Sequence, residues 1–262
     1  MLSSRLHFSF RCLCCAMAII GIGSFDARGD FVEYSRGHAD IGLRFDGSGI
    51  VLEWQFGSGA VLGGSTLTSS IRMEPSGAYA RVADSARFVV TGPVDFLGVN
   101  SGSTVWILPA TENTALPYLG TSSEGLSGFN PAFTANSLKL TGFAGPGNFA
   151  LWQNESFGPP TVLFRTNNGL ANDDIIIPAI GSHAHYDWGF TSEGVYDLTI
   201  LATANRGSEV FTDTGTFRFV VGSATAVPEP GVVAFVALAG IGLLFNKRRK
   251  CRKREFTELT GL

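Results

Sequence analysis

Between Phe25 and Pro230 the chain has no cysteine; its four lie at Cys12, Cys14, Cys15 and Cys251. That absence removes disulfide staples and thiolate chemistry from the long middle of the chain. A hydrophobic core must hold it together instead, and about 200 residues suffice for one. Basic charge is scarce there too: ten Lys and Arg stand against twenty Asp and Glu, a net of −10 where the whole chain carries −3. So acidic a surface argues against direct binding of nucleic acid or anionic lipid and is compatible with cations. Extended 3.6-residue periodicity is missing, as are internal repeats, so one domain without long helices is expected.

Glycine and short alternating segments are what the middle has in quantity. The predicted strands are Phe31 to Arg36, His38 to Phe45, Ile50 to Phe56, Ala86 to Thr91, Thr104 to Leu108, Ser137 to Phe143, Asn148 to Gln153, Thr161 to Arg165, His183 to Phe190, Val195 to Ala204 and Glu209 to Val221. Tyr196, Leu198 and Ile200 fall on one face of theirs, the period of a half-buried strand. Asn205-Arg206-Gly207-Ser208 joins the last two as a hairpin, since Asn and Gly accept positive φ. Regular turns between short strands predict an all-β fold over residues 25–222, an antiparallel β-sandwich of jelly-roll or immunoglobulin-like arrangement.

Both ends read as addresses. Arg5 and Arg11 precede the apolar run Cys12 to Ile22, and Gly23 and Ser24 offer a small-residue cleavage point; residues 1–24 are therefore expected to be a signal peptide for the secretion machinery. Residues 223–230 read as a linker ending in Val227, Pro228, Glu229 and Pro230. Gly231 to Phe245 then carries no charge; as a helix it is roughly 22 Å long, short of a hydrocarbon core of about 30 Å. Bilayer thinning and snorkelling of the flanking basic side chains accommodate the difference. Residues 231–246 are thus predicted to be a transmembrane helix and 247–262 a basic cytoplasmic tail. In it Lys247, Arg248, Arg249, Lys250, Arg252, Lys253 and Arg254 stop transfer, with the middle of the chain outside.

Val-Pro-Glu-Pro, a small-residue-rich apolar helix and a basic cluster, in that order, resemble the PEP-CTERM sorting signal of Gram-negative bacteria. The resemblance implies processing by an exosortase, a membrane cysteine peptidase that cuts near the Pro-Glu-Pro, and delivery to the envelope or extracellular matrix. This tail continues past its basic cluster from Glu255 to Leu262, where such signals usually stop. A second resemblance covers roughly Phe31 to Gly222. Arg36 to Gly42, Val105 to Pro109, Gly145 to Leu151, Ser156 to Gly158 and Gly181 to Phe190 are similar, in this order, to motifs of the choice-of-anchor M domain. That family implies a bacterial surface-anchored β-module, some members of which accompany metal-type ABC transporters.

The sharpest chemical signal is His183-Ala184-His185-Tyr186-Asp187-Trp188. On one strand, His183, His185 and Asp187 would share a face, with the two imidazoles about 7 Å apart at the backbone. His38 and Asp40 repeat the spacing, and the fourth histidine, His7, lies in the leader. Imidazole with carboxylate is the donor set of zinc and suits other divalent transition ions. His38, His183 and His185, completed by Asp40 or Asp187, are the expected metal ligands if the two strands meet. Paired histidines on a solvated strand face need no metal, and that reading stands beside it.

Other patterns carry less. Asp173-Asp174 lacks the spaced oxygens of an EF-hand. The Gly-Ser-Gly triplets at 47–49 and 57–59 lack the Gly-x-Ser-x-Gly spacing of a hydrolase elbow. Gly145-Pro146-Gly147 precedes a strand rather than a phosphate-binding helix, and Trp54, Trp106, Trp152 and Trp188 suit a core better than sugar stacking. The expected function is that of a secreted, non-enzymatic surface or matrix module with a single-pass anchor. The alternatives are a zinc-type metal-binding surface protein serving an ABC transporter and a carbohydrate-binding or carbohydrate-active matrix protein.

Overall fold

The computed structural model describes residues 31–223. The expected signal peptide, sorting motif, transmembrane helix and basic tail lie outside the described residues. Seventeen strands follow in chain order: β1 Val32–Phe45, β2 Ile50–Phe56, β3 Val61–Leu62, β4 Ser65–Thr66, β5 Ile71–Met73, β6 Ala78–Val82, β7 Arg87–Val89, β8 Thr104–Leu108 and β9 Pro117–Gly125. Then come β10 Phe133–Ala144, β11 Phe149–Gln153, β12 Thr161–Arg165, β13 Ile175–Ile176, β14 His183–His185, β15 Asp187–Phe190, β16 Gly194–Arg206 and β17 Glu209–Val221. Among the described residues the only helical turns are short 3-10 pieces at Pro75–Gly77 and Asp84–Ala86, and no helix is long and apolar enough to cross a membrane.

The strands form a 12-stranded and a 5-stranded sheet, the latter ordered β12-β11-β15-β8-β7. The fold is mostly β, as expected, but its larger sheet is mixed rather than antiparallel. β1 runs parallel to β6 and to β9, and β17 runs parallel to β6. Each of these partners is reached through intervening strands, the crossover that parallel neighbours require.

β1 organises the larger sheet. Its first residues, Val32 to Tyr34, pair with β6, whereas Gly37 to Arg44 lie between β2 and β9. The exchange of partners falls at Gly37, whose φ of 83° is accessible to glycine and rarely to other residues. A Cβ there would also meet the Ala60 backbone at 2.8 Å. The sequence pattern predicts two strands separated at this glycine; the chain instead continues as one strand with a change of neighbours. The segment His183 to Phe190 behaves in the opposite way. It reads as one strand but breaks at Tyr186, β14 joining the larger sheet beside β9 and β15 joining the smaller one between β8 and β11.

The core lies between the sheets. Tyr196, Leu198, Ile200, Ala202 and Ala204 of β16 are buried at every second position. From the smaller sheet, Trp188 and Phe190 meet Phe219 of β17 with ring centroids 5.5 and 5.3 Å apart. Each such large side chain contributes about 1.5–3 kcal/mol on burial. Trp54, Trp106, Trp152 and Trp188 are all buried, so none is presented for sugar stacking. Trp188 Nε1 also donates to the Leu119 carbonyl at 3.0 Å, which ties β15 to β9 across the two sheets.

Candidate metal centre

Five strands of the larger sheet, β14-β9-β1-β2-β5, carry the site. Side chains two residues apart on a strand share a face, and paired residues on neighbouring strands share it too. Asp40 on β1 is opposite Gly120 on β9, which is opposite His185 on β14; in the other direction Asp40 faces Gln55 on β2, and Gln55 faces Arg72 on β5. His38 and Tyr118 form the adjacent pair. The reverse face presents Ala39, Ile41 and Leu43 to the core, all fully buried. Alternation along β1 therefore anchors the strand with one set of residues and displays chemistry with the other.

The structure brings His38, His183 and His185 together. One nitrogen from each ring lies within 4.8 Å of the other two. The ring centroids of His38 and His185 are 5.1 Å apart, those of His38 and His183 6.0 Å, and those of His183 and His185 5.8 Å. With Zn–N bonds of about 2.0–2.1 Å, nitrogens this close need only small side-chain adjustments to share one ion.

Two carboxylates back the imidazoles. Asp40 Oδ2 is 3.6 Å from His38 Nε2, and Glu124 Oε1 is 3.1 Å from His183 Nδ1. Carboxylates placed behind ligand histidines fix their orientation and raise their basicity. Two buried polar atoms at the cluster, Asp40 Oδ1 and His185 Nδ1, have no hydrogen-bond partner. Both stand over Gly120, where a Cβ would collide with Asp40 Oδ1 and press on His185 Nδ1 at 3.0 Å. Only glycine leaves that space open. Unpartnered buried polar atoms cost about 1–3 kcal/mol each unless something satisfies them.

The protonation states suit a cation. Burial, followed by the neighbouring His38, lowers the His185 pKa to about 4, which leaves its lone pair free at neutral pH. Burial raises Asp40 to about 6 against the opposing influence of His38 and His183. Metal ligation needs the imidazole deprotonated.

Asp187 is not part of the cluster. Its Oδ1 accepts from the Ala110 amide at 2.9 Å and its Oδ2 from Asn154 Nδ2 at 2.6 Å, both within the region of the smaller sheet. The break at Tyr186 is the reason, because it puts Asp187 in a different sheet from His183 and His185. Asp174 is likewise structural, buried and accepting from the Arg165 and Ala171 amides, while the exposed Asp173 pairs with Arg165 at 3.6 Å. Sequence reasoning missed Tyr118, Gly120 and Glu124 because it missed β9. Tyr118 stacks on His185 and Glu124 braces His183.

Beside the cluster a cavity of about 220 Å³ is bounded by His38, Asp40, Gln55, Ser70, Arg72 and Glu124. Its far wall rests on Glu53, a buried carboxylate held by Arg44 Nε at 3.0 Å and Arg72 Nε at 3.1 Å. No protein-family model matches this chain, and no curated protein matches it either.

Proposed function

We propose that the chain is an exported surface module whose β-domain binds a zinc-type divalent ion through His38, His183 and His185, with Asp40 adding negative charge beside them. The observation that carries this reading is the convergence of three imidazole nitrogens within 4.8 Å next to two unpartnered buried polar atoms. The ligands come from β1 and β14, which are not adjacent but flank β9. An ion there would pin the short strand β14 to the centre of the sheet. The module works by binding rather than by turnover.

Export and anchoring rest on the sequence. The charged and apolar segments of residues 1–24, the Val227 to Pro230 motif, the uncharged stretch after it and the basic cluster from Lys247 to Arg254 support a PEP-CTERM-like route through an exosortase. The resemblance to choice-of-anchor M domains supports display at a bacterial envelope, and a metal site would suit service to an ABC transporter.

The test is a thermal melt of the chain with and without zinc. A ligand that binds only the folded state at a hundred times its Kd stabilises by about 2.7 kcal/mol. Zinc should raise the Tm by several degrees, and His183→Ala with His185→Ala should abolish the rise and the bound metal. An unchanged melt in excess zinc would remove the metal assignment.

A further inference from the structure

Three imidazoles leave a tetrahedral ion one position short, the arrangement of sites that exchange a ligand. Asp40 lies 3.6 Å from His38 but is not within the mutual 4.8 Å set formed by the three rings. The cavity begins at His38 and Asp40 themselves and ends at Arg72. Register fixes that span: Asp40, Gln55 and Arg72 are successive partners across three strands, so the two outer backbones are about 10 Å apart. Arg72 has its Nε on Glu53 Oε1, while its terminal nitrogens make no hydrogen bond among the described residues. Glu53 therefore sets the direction of the guanidinium and leaves its fork available.

We propose that this cavity, once the imidazoles hold a divalent ion, binds a carboxylate, one oxygen completing the ion's coordination and the other accepting from the terminal nitrogens of Arg72. The proposal rests on the metal reading above and names the ligand class for that site. A planar guanidinium fork matches a carboxylate, and charge-assisted pairs of this kind are the stronger hydrogen bonds. Asp40 and Glu124 already line the cavity, so without the ion an incoming anion is repelled; metal and carboxylate binding are thermodynamically coupled. The same two acids select a monoanion over dianionic phosphate, because repulsion grows with the ligand's charge. Gln55 and Ser70 on the cavity wall supply hydrogen-bonding groups for hydroxyls. Polyhydroxy monocarboxylates have this chemistry, and among them we take the uronic acids of acidic polysaccharides as the ligand class.

Calorimetry on the full-length chain in detergent solution tests this, with sodium glucuronate, glucose and inorganic phosphate titrated into zinc-loaded and chelated protein. Glucuronate should bind the zinc form and not the chelated form, glucose should not bind, and phosphate should bind more weakly than glucuronate. Arg72→Gln should weaken glucuronate about tenfold, the scale of one charge-assisted hydrogen bond, with zinc content unchanged. Arg72→Lys, which keeps the charge and loses the fork, should fall between. Glucuronate binding that survives chelation, ignores both Arg72 variants or is outdone by phosphate overturns the proposal. Zinc bound without any glucuronate binding overturns it alone, whereas a failure to bind zinc overturns the metal reading and this inference together.

Discussion

Tyr118 lies flat on His185: the ring centroids are 3.7 Å apart and the planes are inclined by 5°. The phenol ring covers one face of the imidazole while Gly120, two residues along the same strand, leaves room beneath Asp40 and His185. Between them, two residues of β9 set where an imidazole on β14 can go.

Tyr118→Ala removes that support. A stacked aromatic pair contributes about 0.5–1.5 kcal/mol beyond its buried area, so the metal-free variant should melt a few degrees lower. Its zinc affinity should fall as well, because His185 regains rotamers that do not ligate. Tyr118→Phe should behave as the parent in both measurements. Equal zinc affinity in the Ala and Phe variants would show that the stack does not position the ligand.

Asp40 and Asp187 have the same two-residue spacing from a histidine but different surroundings, and substitution should separate them. Asp40→Asn should weaken zinc binding at least several-fold while leaving the fold intact, since it removes negative charge beside His38. Asp187→Ala should leave the zinc content at its parent value and destabilise the fold by about 1–3 kcal/mol, because the Ala110 amide loses its acceptor. Metal analysis alongside a denaturant titration reads both. Loss of zinc in the Asp187 variant alone would reverse the assignment.

Alkaline pH should expose a different set of residues. Burial, then the hydrogen bond to Glu33, raises the Tyr79 pKa to about 12 from its ordinary 10. Burial also raises Tyr186 and Tyr196. A raised folded-state pKa means that the folded chain holds its proton where the unfolded chain has released it. The resulting stabilisation is complete below pH 10 and is lost as pH rises from 10 towards 12. Tyr79→Phe should therefore show a shallower decline of Tm over that window than the parent. Parallel declines would show that the Tyr79 proton is not linked to folding.

Much of the scaffold is legible in the sequence because alternation is strong where a strand has one face in the core. Ile50–Phe56, Thr104–Leu108, Thr161–Arg165 and Glu209–Val221 are read with their observed limits. β9 is not legible. Its Gly120-Thr121-Ser122-Ser123 has the composition of a turn, yet it is a buried strand whose small residues let neighbours approach. The histidines are legible as candidates because they are so few. Their convergence is not, because it depends on β9 lying between β1 and β14, and neither a parallel neighbour nor a switch of sheets at Tyr186 leaves a local periodic signal. The same switch carries Asp187 away from a site that simple alternation assigns it.

Gly37, where β1 changes partners, also has a mechanical meaning. β17 ends at Val221 and runs parallel to β6, which runs parallel to the first residues of β1. A pull on the chain beyond Val221 enters through β17 and passes lengthwise into β6 and the first residues of β1, whose short parallel ladders are loaded along the strands. The load reaches β1 on the near side of the glycine, and His38 sits one residue beyond it. A tether fastened at that end would therefore load the β17-β6 ladder and the first residues of β1 directly, whereas the histidines sit where β1 and β14 pair with β9.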